Sequence, residues 1–195
     1  VDIAHDLVHA RGAKALVVAC NTATAAAIHL LRATHRGLPI VGVEPALKPA
    51  VAASHTARIG VLATRSTLHS AKFAALHASL AGRAYFSMVA CDGLAHAIEQ
   101  GDGDAIGVLA ARYVGALGRF GNGPGEIDTL VLGCTHYPLV ADVLRQHAGA
   151  AVRFIETGPP VAQQTRRLLG ARGQLAAART GDAGGSTEAE AVTLA

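Results

Sequence analysis

Short apolar runs recur along the chain at 15–19, 39–43, 58–63, 85–90, 129–133 and 152–155, each bounded by Gly, Pro or polar residues. Runs of this length between turn-forming residues predict buried strands. The segments between them carry apolar residues at helical spacing. Ile3, Leu7 and Val8 share one face of a short helix that Gly12 closes, and a helix over 23–35 places Ile28 and Leu31 together. Further helices are predicted over 46–55, around Phe73, Leu76 and Leu80, and over 104–118 with Ile106, Leu109, Ala110, Tyr113 and Leu117 on one stripe. Another starts at Pro138 with Leu139, Val140, Val143 and Leu144 turned inward, and a last one runs from Thr157 to Gly170. Segment 121–125 and the residues around 181–186 read as loops. Strands alternating with helices predict an α/β fold with a largely parallel sheet.

Composition narrows the function. The 195 residues suffice for a sizeable core, and 51% hydrophobic against 16% charged residues argues against wholesale disorder. Tryptophan is absent and aromatics are 4%, which leaves little to stack on bases or sugars. The net charge of +3 is spread out, with Arg166-Arg167 the only adjacent basic pair, so no nucleic-acid partner is expected. No run approaches the length of a membrane span, and no membrane association is expected. Three cysteines without a CxxC pair read as reduced thiols of a cytoplasmic protein. The chain opens on Val1-Asp2-Ile3 in a helical pattern and closes on an apolar stretch, so both ends read as cut.

Two stretches share one grammar: Leu16-Val17-Val18-Ala19-Cys20-Asn21-Thr22-Ala23 and Leu130-Val131-Leu132-Gly133-Cys134-Thr135-His136-Tyr137-Pro138. Each is a buried strand ending at a cysteine, followed by polar donors and a helix. Ligands of open α/β sheets bind beyond the carboxyl ends of strands, so both thiols are expected where chemistry is done, facing one small molecule from opposite sides. Neighbouring hydroxyl, amide and helix N-terminal donors favour a thiolate and hold a carboxylate, and His136 is placed to take or return the Cys134 proton. Cys91 also follows an apolar run, but Asp92 comes next and disfavours its thiolate, so Cys91 reads as structural. His5 and His9, four apart, lack the Glu of an HExxH site, and His96 and Glu99 form a chance pair in a chain of ten histidines; no metal is expected. No glycine-rich phosphate cradle follows a strand, so no nucleotide or other cofactor is expected.

At these residues the chain resembles the glutamate racemases of the aspartate/glutamate racemase superfamily. Ala19-Cys20-Asn21-Thr22-Ala23 is similar to the first cysteine motif of that family and Leu132-Gly133-Cys134-Thr135-His136-Tyr137-Pro138 to the second, more specific one. The Thr64/Thr67 loop and the Glu99-Gln100-Gly101 turn extend the likeness over nearly the whole chain. The resemblance implies two pseudo-symmetric, open, largely parallel-sheet domains with the active site in the cleft between them. The first would comprise 1–44 plus 157–195, incomplete, and the second 45–156. It implies a cofactor-free racemisation between L- and D-glutamate for peptidoglycan synthesis, with Cys20 and Cys134 as the two bases and His136 assisting Cys134. Asn21, Thr22, Thr67, Thr135 and His136 would bind the substrate, and a homodimer is allowed.

There are departures. The family's opening strand with its Asp-Ser-Gly loop, the Pro-Tyr-Gly segment that follows, and the closing strand–helix segment are absent from these residues, which predicts weak or no turnover by this chain. Asp92 stands where a Pro is more usual, and Glu99 carries no assigned role. Rival readings are a superfamily enzyme for aspartate, a hydantoin or a malonate, a non-catalytic remnant that binds the amino acid or a partner, and, least favoured, a metal site.

Overall fold

A computed structural model describes residues 2–176. The chain runs α1 (Asp2–His9), β1 (Leu16–Val18), α2 (Asn21–Thr34), β2 (Ile40–Gly42), α3 (Leu47–Ala53), β3 (Arg58–Ala63), α4 (Arg65–Leu68), α5 (Ala71–Ala78) and β4 (Tyr85–Ala90). It continues through α6 (Leu94–Gln100), α7 (Gly103–Leu117), β5 (Thr129–Gly133), a 3-10 turn (Tyr137–Val140), α8 (Ala141–Ala148), β6 (Arg153–Ile155) and α9 (Gly158–Gly170). Every strand pair is parallel, as the alternation of strands and helices predicts.

The strands form two sheets, one of order β1-β2 and one of order β4-β3-β5-β6. In the larger, helices cover both faces, which explains why β3 and β5 read as continuous apolar runs rather than alternating ones. Side-chain alternation sorts their residues: Leu62, Leu130, Leu132 and Cys134 join a core with α7 and α8, while Ile59, Val61 and Val131 join one with α3 and α5. Leu62, Leu130, Leu132 and Leu144 are fully buried, each worth roughly 2 kcal/mol of apolar transfer. In the smaller sheet, Leu16 and Ile40 pack with Ile28 and Leu31 of α2 and with Leu7 and Val8 of α1.

Two local features differ from the apolar pattern. Helix α6 lies where the sequence shows only a turn. Gly93 and Gly101, both at positive φ, bracket it, and Leu94 and Ala97 anchor it to the core. Leu139 is 75% exposed rather than inward, because the residues after Cys134 first form the 3-10 turn and only then α8, which rotates its neighbours relative to one continuous helix. Residues around 181–186, read as loop, lie outside the described residues. No helix among the described residues is long and apolar enough to cross a membrane.

Candidate active site

Cys20 sits just beyond β1 as the N-cap of α2, where its exposed sulfur accepts the Ala23 N–H at 3.5 Å. Thr24 holds this end of the helix in place. Its hydroxyl donates to the Val18 carbonyl and accepts from the Val43 N–H, tying α2 to both strands of the small sheet. The close approach needs Gly42, since a Cβ there would lie 2.5 Å from the Thr24 methyl.

Cys134 follows β5 directly and is 8% exposed. Gly133 before it lies against β3, where a Cβ would come 2.8 Å from the Leu62 carbonyl oxygen and 2.9 Å from the Ala63 Cβ. The glycine therefore lets the strand end, and the thiol with it, nest on its neighbour. Burial pushes the Cys134 thiol up from its ordinary value; the backbone N–H groups of His136 and Thr135 oppose this, but burial prevails. The charge of Cys20 acts in the same upward direction as burial.

His136 Nδ1 is 3.6 Å from the Cys134 sulfur, and its Nε2 is 2.9 Å from a carboxylate oxygen of Glu99. A carboxylate at Nε2 favours the proton on that nitrogen, which leaves Nδ1 as the acceptor facing the thiol. Glu99 comes from α6, the helix that the apolar pattern missed, and its proximity to His136 is not legible from a separation of 37 residues in sequence. This pair is the functional feature that sequence reasoning overlooked; the Glu99-Gln100-Gly101 turn was its only trace.

Three hydroxyls join the two sheets beside Cys20. Thr22 of α2 lies 3.0 Å from Thr64 and 3.3 Å from Thr67, and Thr64 lies 2.9 Å from Thr67. The Lys72–Glu44 ion pair, at 2.8 Å, spans the same seam. Between them is a cavity of about 10 Å³, lined by Asn21, Glu44, Thr67 and Ser70, which has room for a single water. Asn21 is buried with neither amide atom hydrogen-bonded to protein, so it lines this seam rather than an open cleft. Thr135 is half-buried beside Cys134. The structure thus gathers Cys20, Thr22 and Thr67 on one side and Cys134, Thr135 and His136 on the other.

Cys91 belongs to neither group. It is buried, and burial pushes its thiol up to about 12. The reading of Cys91 as structural agrees with this, but Asp92 is the least of the causes, since its side chain is exposed and paired with Arg65. Cys91 and Cys134 extend strands β4 and β5, which flank β3 on opposite sides, so two strand spacings (about 9–10 Å) separate their backbones, too far for a disulfide. Tyr137, fully buried in the same core as Cys91 and Cys134, is likewise pushed up by burial.

Fold and site define a class: a parallel α/β protein that presents one thiol beyond a strand in each of two sheets, one of them backed by a His–Glu pair. The chain belongs to the Asp/Glu/Hydantoin racemase family, whose model matches residues 2–165. It is 47% identical over 173 residues to a glutamate racemase of Pseudomonas syringae pv. tomato, covering 88% of this chain and 61% of that protein. It is 49% identical over 168 residues to one from Methylococcus capsulatus, covering 85% and 59%. Among solved structures, glutamate racemase isoform RacE1 of Bacillus anthracis superposes with a TM-score of 0.70 at 31% identity, over 84% of this chain and 60% of that one. Escherichia coli glutamate racemase, in complex with L-glutamate and the activator UDP-MurNAc-ala, superposes with a TM-score of 0.67 at 32% identity, over 79% and 57%. The chain spans about three fifths of the length of the curated relatives it matches.

Proposed function

We propose that this chain carries the two-thiol machinery of a glutamate racemase, which interconverts L- and D-glutamate without a cofactor. The observation that carries the reading is the pair of cysteines, one beyond a strand of each sheet, Cys20 followed by the Thr22 hydroxyl that bonds across the seam and Cys134 by the His136 imidazole 3.6 Å from its sulfur. Residues 2–44 with 157–176 form one unit and 45–156 the other in this reading, and the substrate lies between them.

In the proposed cycle, one cysteine as thiolate removes the α-proton of glutamate, and the opposite cysteine as thiol delivers its own proton to the other face of the α-carbon. The product has inverted configuration and the two sulfurs have exchanged protonation states. The roles reverse for the opposite direction. The α-proton is weakly acidic, so both bases must be held in position and the developing charge must meet fixed donors. Thr22, Thr67 and Thr135 supply those donors, Thr22 exchanging its hydroxyl partners for the substrate, while buried Asn21 backs the seam beneath them. Burial keeps Cys134 protonated at rest, which suits a proton donor; His136 Nδ1 accepts that proton when Cys134 must act as base, and Glu99 steadies the resulting imidazolium. The reaction would supply D-glutamate for peptidoglycan synthesis in the cytoplasm, and the reading allows a homodimer.

The test is α-proton exchange. Incubation with L-glutamate in D₂O is expected to wash out the Cα–H NMR signal and build up D-glutamate, with Cys20→Ala and Cys134→Ala each abolishing D-glutamate formation. The measured rate also tests the expectation, drawn from the sequence, of weak or no turnover by this chain. A folded chain that binds glutamate and exchanges nothing would sink the proposal.

A further inference from the structure

Outside the thiol site, three imidazoles meet at the far end of α2. His5 and His9, one turn apart on α1, have ring centroids 4.3 Å apart. The ring of His35, the C-cap of α2, lies 6.4 Å from that of His5 and 5.9 Å from that of His9. His5 and His9 are exposed, whereas His35 is 7% exposed and its Nε2 is buried without a hydrogen-bond partner. Spacing in the sequence makes His5 and His9 a chance pair. The third ring, brought in by the packing of α1 on α2, changes that judgement, because a buried unpaired imidazole nitrogen costs free energy unless something satisfies it.

We propose that His5, His9 and His35 form a site for a divalent transition metal of imidazole preference, such as zinc, nickel or cobalt. An ion about 2.0–2.1 Å from each ligating nitrogen holds neighbouring ring centroids roughly 4.5–5 Å apart. His5 and His9, at 4.3 Å, stand slightly closer than that. The His35 ring, 6.4 Å from that of His5 and 5.9 Å from that of His9, is roughly 1–2 Å farther out, and as the side chains stand no three such groups among the described residues converge in ligand geometry. The adjustment falls on His5 and His9, whose exposed side chains turn about χ1 and χ2 at little cost, while His35 provides the fixed buried ligand. Three neutral imidazoles match borderline metals rather than magnesium or calcium, and leave a fourth position to water. The ion would staple α1 to the C-terminal end of α2, whose other end carries Cys20 some 20 Å away. It therefore acts on the stability of the small-sheet unit and takes no part in proton transfer.

The experiment uses the untagged chain with Cys20→Ser and Cys134→Ser, so that the thiol site cannot supply ligands. Titration with Co²⁺, followed by its visible d–d absorption, is expected to saturate at one equivalent and to reverse on adding Zn²⁺. His5→Gln and His9→Gln, both at exposed positions, are each expected to weaken binding at least about tenfold. X-ray absorption at the zinc edge counts the ligands without relying on a variant at buried His35, and three imidazoles are expected. No saturable binding, binding unchanged in His5→Gln or His9→Gln, or only two imidazoles in the absorption spectrum would each overturn the site.

Discussion

At the scale of single residues, the chemistry depends on how burial and partners divide three chemically identical thiols. Cys20 is exposed at a helix N-terminus, Cys134 is buried but reached by His136, and Cys91 is buried with its thiol at about 12. Reactivity follows from these surroundings. The Glu99–His136 pair is partly solvent-exposed, so it adds little to stability; in the proposed function its value lies in setting the tautomer and holding the ring. Glu99→Gln keeps an acceptor near Nε2 but removes the charge that steadies the imidazolium. On the proposed mechanism it is expected to lower kcat roughly 10²-fold with KM little changed, as steady-state assays in both directions of racemisation would read. A change confined to KM would place Glu99 in substrate binding instead.

At the scale of elements, the site rests on strand ends. In the proposed function, Cys20 and Cys134 act because β1 and β5 deliver them to the carboxyl ends of their sheets, and Gly133 decides how closely β5 ends against β3. Gly133→Ala is expected to cost about 1–3 kcal/mol in urea unfolding, because its Cβ meets backbone that cannot yield. The same change displaces Cys134, so activity should fall even where the protein remains folded. An alanine variant as stable and as active as the parent would show that the contact is relieved elsewhere.

At the scale of the whole molecule, the end of the larger sheet away from the thiols is held by a buried carboxylate. Asp128 accepts from the Ser54 hydroxyl at 2.5 Å, the His55 and Thr56 N–H groups at 2.6 and 3.0 Å and the Thr129 hydroxyl at 2.9 Å. It thereby fastens the turn after α3, which contains Ala57 at a φ of 54°, to the start of β5. Burial alone would raise this carboxyl, yet the four donors outweigh it and hold it at about 2 against an ordinary 3.8. A depressed folded-state value means that the stabilisation is complete above about pH 3.8 and is lost as pH falls through about 2. The difference corresponds to on the order of 2 kcal/mol. Asp128→Asn is expected to be less stable than the parent by about that amount at pH 7, with the gap closing between pH 4 and 2 in denaturant titrations. A gap independent of pH would mean that packing rather than charge explains the cost.

The sequence by itself determined the parallel α/β class, most strand and helix positions, and the two cysteine motifs. All of these follow from periodicity and from local grammar: an apolar run, a thiol, donors, then a helix, although β1 is only partly buried, with Val17 44% exposed. It also marked Cys91 as apart from the other two, although for a minor reason, since burial rather than Asp92 sets its thiol. What only the tertiary structure decided are relations between residues distant in the chain. Glu99 against His136, Thr22 against Thr64 and Thr67, Asp128 under the turn at 54–56 and His35 beside His5 and His9 arise from how helices pack on sheets. Periodicity states which face of an element is buried but not which face of another element it meets, and the chemistry of this site depends on those meetings.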